Sequence, residues 1–401
     1  MSSKAKIMLV VSALFTLAMG LSNVFVNIFL WKNSNDFVLV ANYNLMHYIF
    51  VPATFIFAGW ISKKYNGIWS LRLGIIFFIM FFALILIVKD QIVGYIYPLG
   101  ILFGIAAGFY WLAFHVLSFD FTTPNNRDTF NGFNGAITGI SHAIAPLAAA
   151  LIIENSTGIS GYIIVFGITL ALFVVLIIVS ALLRTKKYGE NLNYKYIFRN
   201  NNKEWGNLRK GIAAWGIRDV IIGFVIAILI FDYTGSELTL GKFTFLAAII
   251  SCLAFLLEQK LIKPKRRVYS MQMGGILMMA AVLGLAAGID YFALLFYIVL
   301  DSLFLPFFTV PMSSASFNII NGNHEEDLRI EYVINKELVL NAGRILSISV
   351  LILMLSYLRN VKLLNYYLLF IGSAQLISLH FLVKLKIWKT GKEILPTLDK
   401  A

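Results

Sequence analysis

The chain has 401 residues, 59% hydrophobic and 13% charged, with a formal charge of +13 and a mean hydropathy of +0.81. A soluble domain carries roughly one quarter charged residues, so the composition excludes a soluble enzyme and points to a chain that crosses a membrane many times. The single cysteine, Cys252, lies in an apolar run, which excludes a disulfide or zinc framework.

Apolar runs of about 18 residues or more read as spanning helices, because lipid offers the backbone no hydrogen-bond partner. Taken in order, they are Ile7–Trp31, Phe37–Ile61, Leu71–Val88, Ile92–Phe119, Asn131–Ile153 and Ile159–Leu183. After the polar segment Arg184–Lys210 come Gly211–Phe231, Gly241–Leu257, Ser270–Gly288, Tyr291–Asn318, Val333–Tyr357 and Leu363–Val383. The first run follows Lys4 and Lys6, is too long for a signal-peptide core, and is expected to remain as a helix. The sequence therefore predicts an all-α membrane protein of twelve transmembrane helices. They form two pseudo-symmetric six-helix bundles, 1–183 and 211–401, joined by a basic linker, 184–210.

Charge placement sets the orientation. With the N-terminus inside, only Lys32, Lys89, Lys242, Arg359 and Lys362 fall outside, and Arg218 and Arg344 fall within helices. The remaining Lys and Arg are cytoplasmic, as the positive-inside bias requires. Both termini are thus expected in the cytoplasm and the chain in the cell membrane. The partners are then the lipid bilayer and a small-molecule substrate, with protons as a candidate coupling ion. No nucleic acid is implied, because the positive charge is that of cytoplasmic loops. The chain is expected to act as a monomer.

The second half echoes the first at a shift of about 200 residues, the internal repeat of transporters built from two halves. Ser70–Gly74 (SLRLG) matches Ser270–Gly274 (SMQMG), Asp90 matches Asp290, and Arg127 matches Arg329. The loop between the second and third spans, Gly59–Arg72 (GWISKKYNGIWSLR), resembles the G-x-L-x-D-R-x-G-R-R signature of the major facilitator superfamily. Gly59 opens it, Ile61 takes the leucine place and Lys64 a basic place. Lys63 stands where the family has aspartate, and Asn66 where it has glycine. The resemblance implies the two-bundle fold, alternating access and a gating loop carrying Gly59, Lys63, Lys64 and Arg72. The fifth span, Gly139–Ala150 (GISHAIAPLAAA), is similar in outline to the glycine- and proline-bearing pattern of proton-driven exporters, with Ser141, Ala145, Ala149 and Ala150 around Pro146. Close helix packing explains the same small residues.

No catalytic, phosphate-loop or metal motif stands out. Gly235–Lys242 (GSELTLGK) has one residue too many for a phosphate loop and no following Ser or Thr. No cofactor is expected. Ionisable residues inside the membrane are functional candidates by default. Asp301 and Arg344 each lie about ten residues into consecutive spans, some 15 Å deep, and are expected to pair. Glu337, Asn341 and Arg344 share a helical face. Asn134, Thr138 and His142 form the equivalent stripe in the first half, with His142 as a titratable candidate. Arg218 and Asp219 are sequence neighbours about 100° apart, unable to satisfy each other directly. The resemblance implies that the first, fourth, seventh and tenth spans line a cavity. That would place Asn23, Asn27, Trp111 and His115 beside substrate, although asparagines also bind helices together. His47 is expected to be a packing residue, and the acidic loop His324–Tyr332 either a gate element or a solvated run.

These features predict a secondary transporter, with proton-linked export of an amphipathic compound as the leading form. Import of a polar solute such as a sugar is the alternative. A lipid flippase or a non-transporting membrane sensor remains the reading from another class.

Overall fold

Polar residues in the short connections set where the helices begin. Asp36 accepts from the amide of Val38 at 2.7 Å and starts α2 (Phe37–Lys64) immediately after α1 (Ser3–Ser34). Asn35 between them adopts a left-handed conformation, φ 50°, which asparagine tolerates better than most residues. Asn66 accepts from the Ile68 amide at 3.1 Å and caps α3 (Gly67–Val88). A 3₁₀ segment, Lys89–Tyr95, carries the chain into α4 (Ile96–Asp120). The first half closes with α5 (Pro124–Glu154) and α6 (Ser160–Ser180).

The second half holds α7 (Lys203–Thr234), α8 (Glu237–Leu261), α9 (Arg267–Ala287), α10 (Tyr291–Gly322), α11 (Arg329–Leu358) and α12 (Leu363–Val383). The computed structural model describes residues 1–185, 189–198, 202–322, 328–358 and 363–388. Among them, eleven continuous helical stretches are long and apolar enough to span. One of these, Gly67–Asp120, contains both α3 and α4, which makes twelve crossings. The helices outrun the apolar runs at several ends. α7 starts at Lys203 rather than Gly211, because Asn202 caps the amides of Glu204 and Trp205 and the apolar side of that turn is buried. Residues 323–327 of the acidic loop, Arg359 and Lys362, and the tail from 389 onward lie outside the described residues.

Two compact units emerge. The first comprises Met1–Leu192, Val220–Ile249 and Ile348–Leu363; the second comprises Asn193–Asp219, Ile250–Ser347 and Leu364–Ala401. The first unit has an aromatic core, with Phe15 stacked on Tyr110 at 3.5 Å and Phe78 on Phe173 at 4.8 Å. Glycines let α4 approach α2 closely: a Cβ at Gly100 would sit 2.5 Å from the Tyr43 carbonyl oxygen, and one at Gly104 2.7 Å from that of His47. The second unit packs Trp205, Ile212, Trp215, Met271, Met278 and Phe308 together. Trp205 donates its indole N–H to Asn335 at 2.8 Å, and Asn335 in turn donates to the Ile197 carbonyl of a short linker helix, Tyr194–Phe198.

Candidate functional site

The polar centre of the second unit is built on α7, α10 and α11. Gly216 of α7 and Gly343 of α11 lie against one another's backbone, at the carbonyls of Leu340 and Ala213. Absence of two Cβ atoms brings the helices together one turn from Asp219 and beside Arg344. Arg344 donates Nε and Nη2 to Asp219 Oδ2 at 2.9 and 2.5 Å, and Nη1 to Asn341 Oδ1 at 3.3 Å. Asn341 donates onward to Glu337 Oε2 at 3.1 Å. The stripe expected on α11 is thus a hydrogen-bonded chain ending in an ion pair.

Arg218, one residue before Asp219, points to another neighbour. It forms an ion pair with Asp301 of α10 and lies 4.9 Å from the Trp215 ring. The expected Asp301–Arg344 pair is therefore not what forms. Equal depth put those residues at one level of the membrane, but their azimuths differ, and each is met by one of two adjacent charges on α7. The two pairs also differ in wetness. Side-chain exposure is 0% for Arg218 and 8% for Asp301, against 21% for Arg344 and 25% for Asp219. Burial of the first pair is nearly complete, and Arg218 Nε and Nη1 have no hydrogen-bond partner among the described residues. The second pair is partly exposed. Immediately after Asp219, α7 widens into a π turn at Ile221–Val225, a feature that often marks functional helices.

In the first unit the expected residues divide. Asn27 is 4% exposed and accepts from Asn44 of α2 at 2.8 Å, so it joins α1 to α2. Asn23, Trp111, His115 and His142 are exposed, with Trp111 at 41%. Of the α5 stripe, Asn134 turns toward α1, accepting from Ser12 at 2.5 Å; Ser141, beside His142, accepts from Thr16 at 3.3 Å. Gly20 of α1 rests against Ala145 and Ser141, so these small residues serve helix packing. His47 stacks on Tyr48 at 4.7 Å, as expected of a packing residue.

At the signature loop Gly59 is buried. Lys63 is 6% exposed and lies 3.8 Å from Glu190 of the linker, whose amide donates to the Lys63 carbonyl at 3.1 Å. Lys64 sits over Trp60 at 4.8 Å, and Arg72 donates to the Ser180 carbonyl at 3.3 Å. The linker therefore places a carboxylate beside the lysine that occupies the family's aspartate position. Gly216, Gly343 and Glu190 were missed in the sequence; the two glycines carry the small-residue signal of close helix approach, while Glu190 carries none.

Solved structures with this fold include a bacterial homologue of the iron transporter ferroportin in an outward-facing state with soaked iron (TM-score 0.69, 14% identity, 97% of this chain and 100% of that one). The nucleoside transporter NupG is similar with TM-score 0.71 and 11% identity, over 94% of this chain and 99% of that one. In sequence, the chain is 33% identical over 355 residues to the Bacillus subtilis (strain 168) protein YqgE, covering 88% of this chain and 83% of that protein. The Major Facilitator Superfamily model matches residues 7–326. With that match, the twelve spans and the two-half repeat, the chain belongs to the major facilitator superfamily.

Proposed function

We propose that the protein is a proton-linked secondary transporter whose Asp219–Arg344 pair couples substrate to proton. Family membership supports transport of a small molecule across a membrane, with the halves 1–183 and 211–401 as the moving bodies of an alternating-access cycle. One observation carries the coupling assignment: among the described residues, Asp219–Arg344 is partly exposed where the neighbouring Arg218–Asp301 pair is sealed. Protonation of Asp219 would release Arg344, and a substrate held by Arg344 and Asn341 would in turn favour a proton on Asp219. Asp301, sealed against Arg218, and His142, exposed on α5, fit that role less well.

Exposed Trp111 and His115 on α4 support an amphipathic substrate and hence export. Exposed Asn23 and the Asn341–Arg344 chain favour import of a polar solute as the second reading. A metal cargo is suggested by the ferroportin-homologue neighbours. Among the described residues, however, no group of three or more His, Cys, Asp or Glu could hold an ion. The test is flux of a panel of fluorescent amphipathic dyes and of radiolabelled sugars in proteoliposomes under an imposed pH gradient. Gradient-driven accumulation that Asp219→Asn abolishes, with substrate exchange retained, is the expected result. Undiminished gradient-driven accumulation in Asp219→Asn would remove the coupling assignment.

A further inference from the structure

Glu237 opens α8 at the membrane face opposite the linker, the face that the charge pattern places outside. Its side chain is 8% exposed, an unfavourable place for a carboxylate unless donors surround it. Two do. Lys32, at the end of α1, donates Nζ to Glu237 Oε1 at 2.8 Å, and Tyr162, near the start of α6, donates its hydroxyl to the same oxygen at 2.8 Å. Lys32 Nζ also stands 5.5 Å from the Tyr162 ring centroid, and that ring packs on Phe29 at 5.0 Å. One turn on, Gly241 of α8 lies against the Ala150 side chain and the Pro146 carbonyl of α5.

All of these residues belong to the first compact unit, which takes in Val220–Ile249 from the second half of the sequence. The outer start of α8 is therefore fastened to α1, α5 and α6 by one charge-assisted cluster and one glycine contact. A transporter that alternates access must separate outer ends of its two halves in one of its states. A contact made by a nearly buried carboxylate to two donors from the other half is made whole or lost whole, which suits a discrete latch.

We infer that Lys32, Tyr162 and Glu237 form an outer latch, which holds α8 on the first half when the outer side is closed and breaks when it opens. This does not depend on which residues couple protons or on what the substrate is. Tyr162 is the positioning residue, since its hydroxyl fixes the carboxylate that Lys32 engages. Lys32, 45% exposed, is the member that can leave into water.

The experiment uses purified full-length protein with Cys252→Ser and a reporter, Leu240→Cys, at a position 1% exposed and one turn beyond Glu237. Labelling by a thiol reagent measures how often this corner opens. Lys32→Gln and Glu237→Gln should each raise the labelling rate about tenfold, the value of one lost charge-assisted hydrogen bond, and Tyr162→Phe should raise it less. The exchange Lys32→Glu with Glu237→Lys should return labelling toward the parental rate. Folded Gln variants that label at the parental rate would overturn the latch. If the Gln variants aggregate, the charge exchange decides alone: slow labelling of a monodisperse protein supports a direct pair, and fast labelling or aggregation refutes it.

Discussion

Gly216 and Gly343 meet reciprocally, each against the backbone of the other's helix, and this crossing of α7 and α11 sets the spacing of Asp219 and Arg344. The α1–α5 crossing in the first half uses Gly20 against Ser141 and Ala145 in the same way. Both crossings rest on a glycine without a Cβ atom, and in α7–α11 the crossing stands beside an ion pair.

Gly343→Ala should therefore destabilise the protein by about 1–3 kcal/mol, the usual cost of overpacking, and Gly216→Ala similarly. Gly206→Ala, on the same α7 with open space at its Cβ position, should be neutral or slightly stabilising. Thermal melts of the three purified variants check this, and equal melting temperatures would mean that the crossing tolerates a methyl group.

The pair assignment predicts the outcome of mutant cycles. Asp301→Asn or Arg218→Gln alone should cost about 3–5 kcal/mol by stranding a buried charge, and the double variant should be more stable than the worse single. The cross-cycle of Asp301→Asn with Arg344→Gln should be close to additive, since each has its own partner on α7. Strong coupling in the cross-cycle would reverse the assignment.

The linker contact should be asymmetric. Glu190 is 61% exposed, so Glu190→Ala should change stability by no more than about 1 kcal/mol, as for surface pairs. Lys63 is 7% exposed at its side chain, and Lys63→Ala loses buried aliphatic packing as well. Denaturation midpoints for the two variants separate these costs; the larger loss in Glu190→Ala would show that the pair rather than the packing matters.

Orientation has a direct check in a Cys252→Ser background. A cysteine at exposed Asn155, after α5, should react with an impermeant thiol reagent on intact cells. One at exposed Asn191, in the linker, should react only after permeabilisation. Labelling of Asn191→Cys from outside would invert the topology.

The spans and their number were legible because hydrophobic length and charge position are one-dimensional signals. The site was legible in its members but not in its connections. Sequence position gives depth along a spanning helix, and at equal depth Asp301 and Arg344 are natural partners. Which way each side chain faces depends on how α7 rolls between α10 and α11, and that is decided by Gly216 and Gly343, two residues without side chains to announce themselves. Asn27 shows the same limit: its place in the first span was readable, its use in holding Asn44 was not. The Lys63–Glu190 contact joins a loop to a linker more than 120 residues away in sequence, with no local pattern to connect them.

The π turn at Ile221–Val225 has a consequence for how α7 can vary. Such a turn holds one residue more than the α turn it replaces. α7 is thus a helix with a surplus residue in its interior. Shortening it by that residue would restore a regular ladder, with Arg218 and Asp219 at one end and the Gly235 terminus at the other keeping their present faces. The surplus is not required for register. It lies in the segment that follows Asp219, where the chain passes from one compact unit to the other.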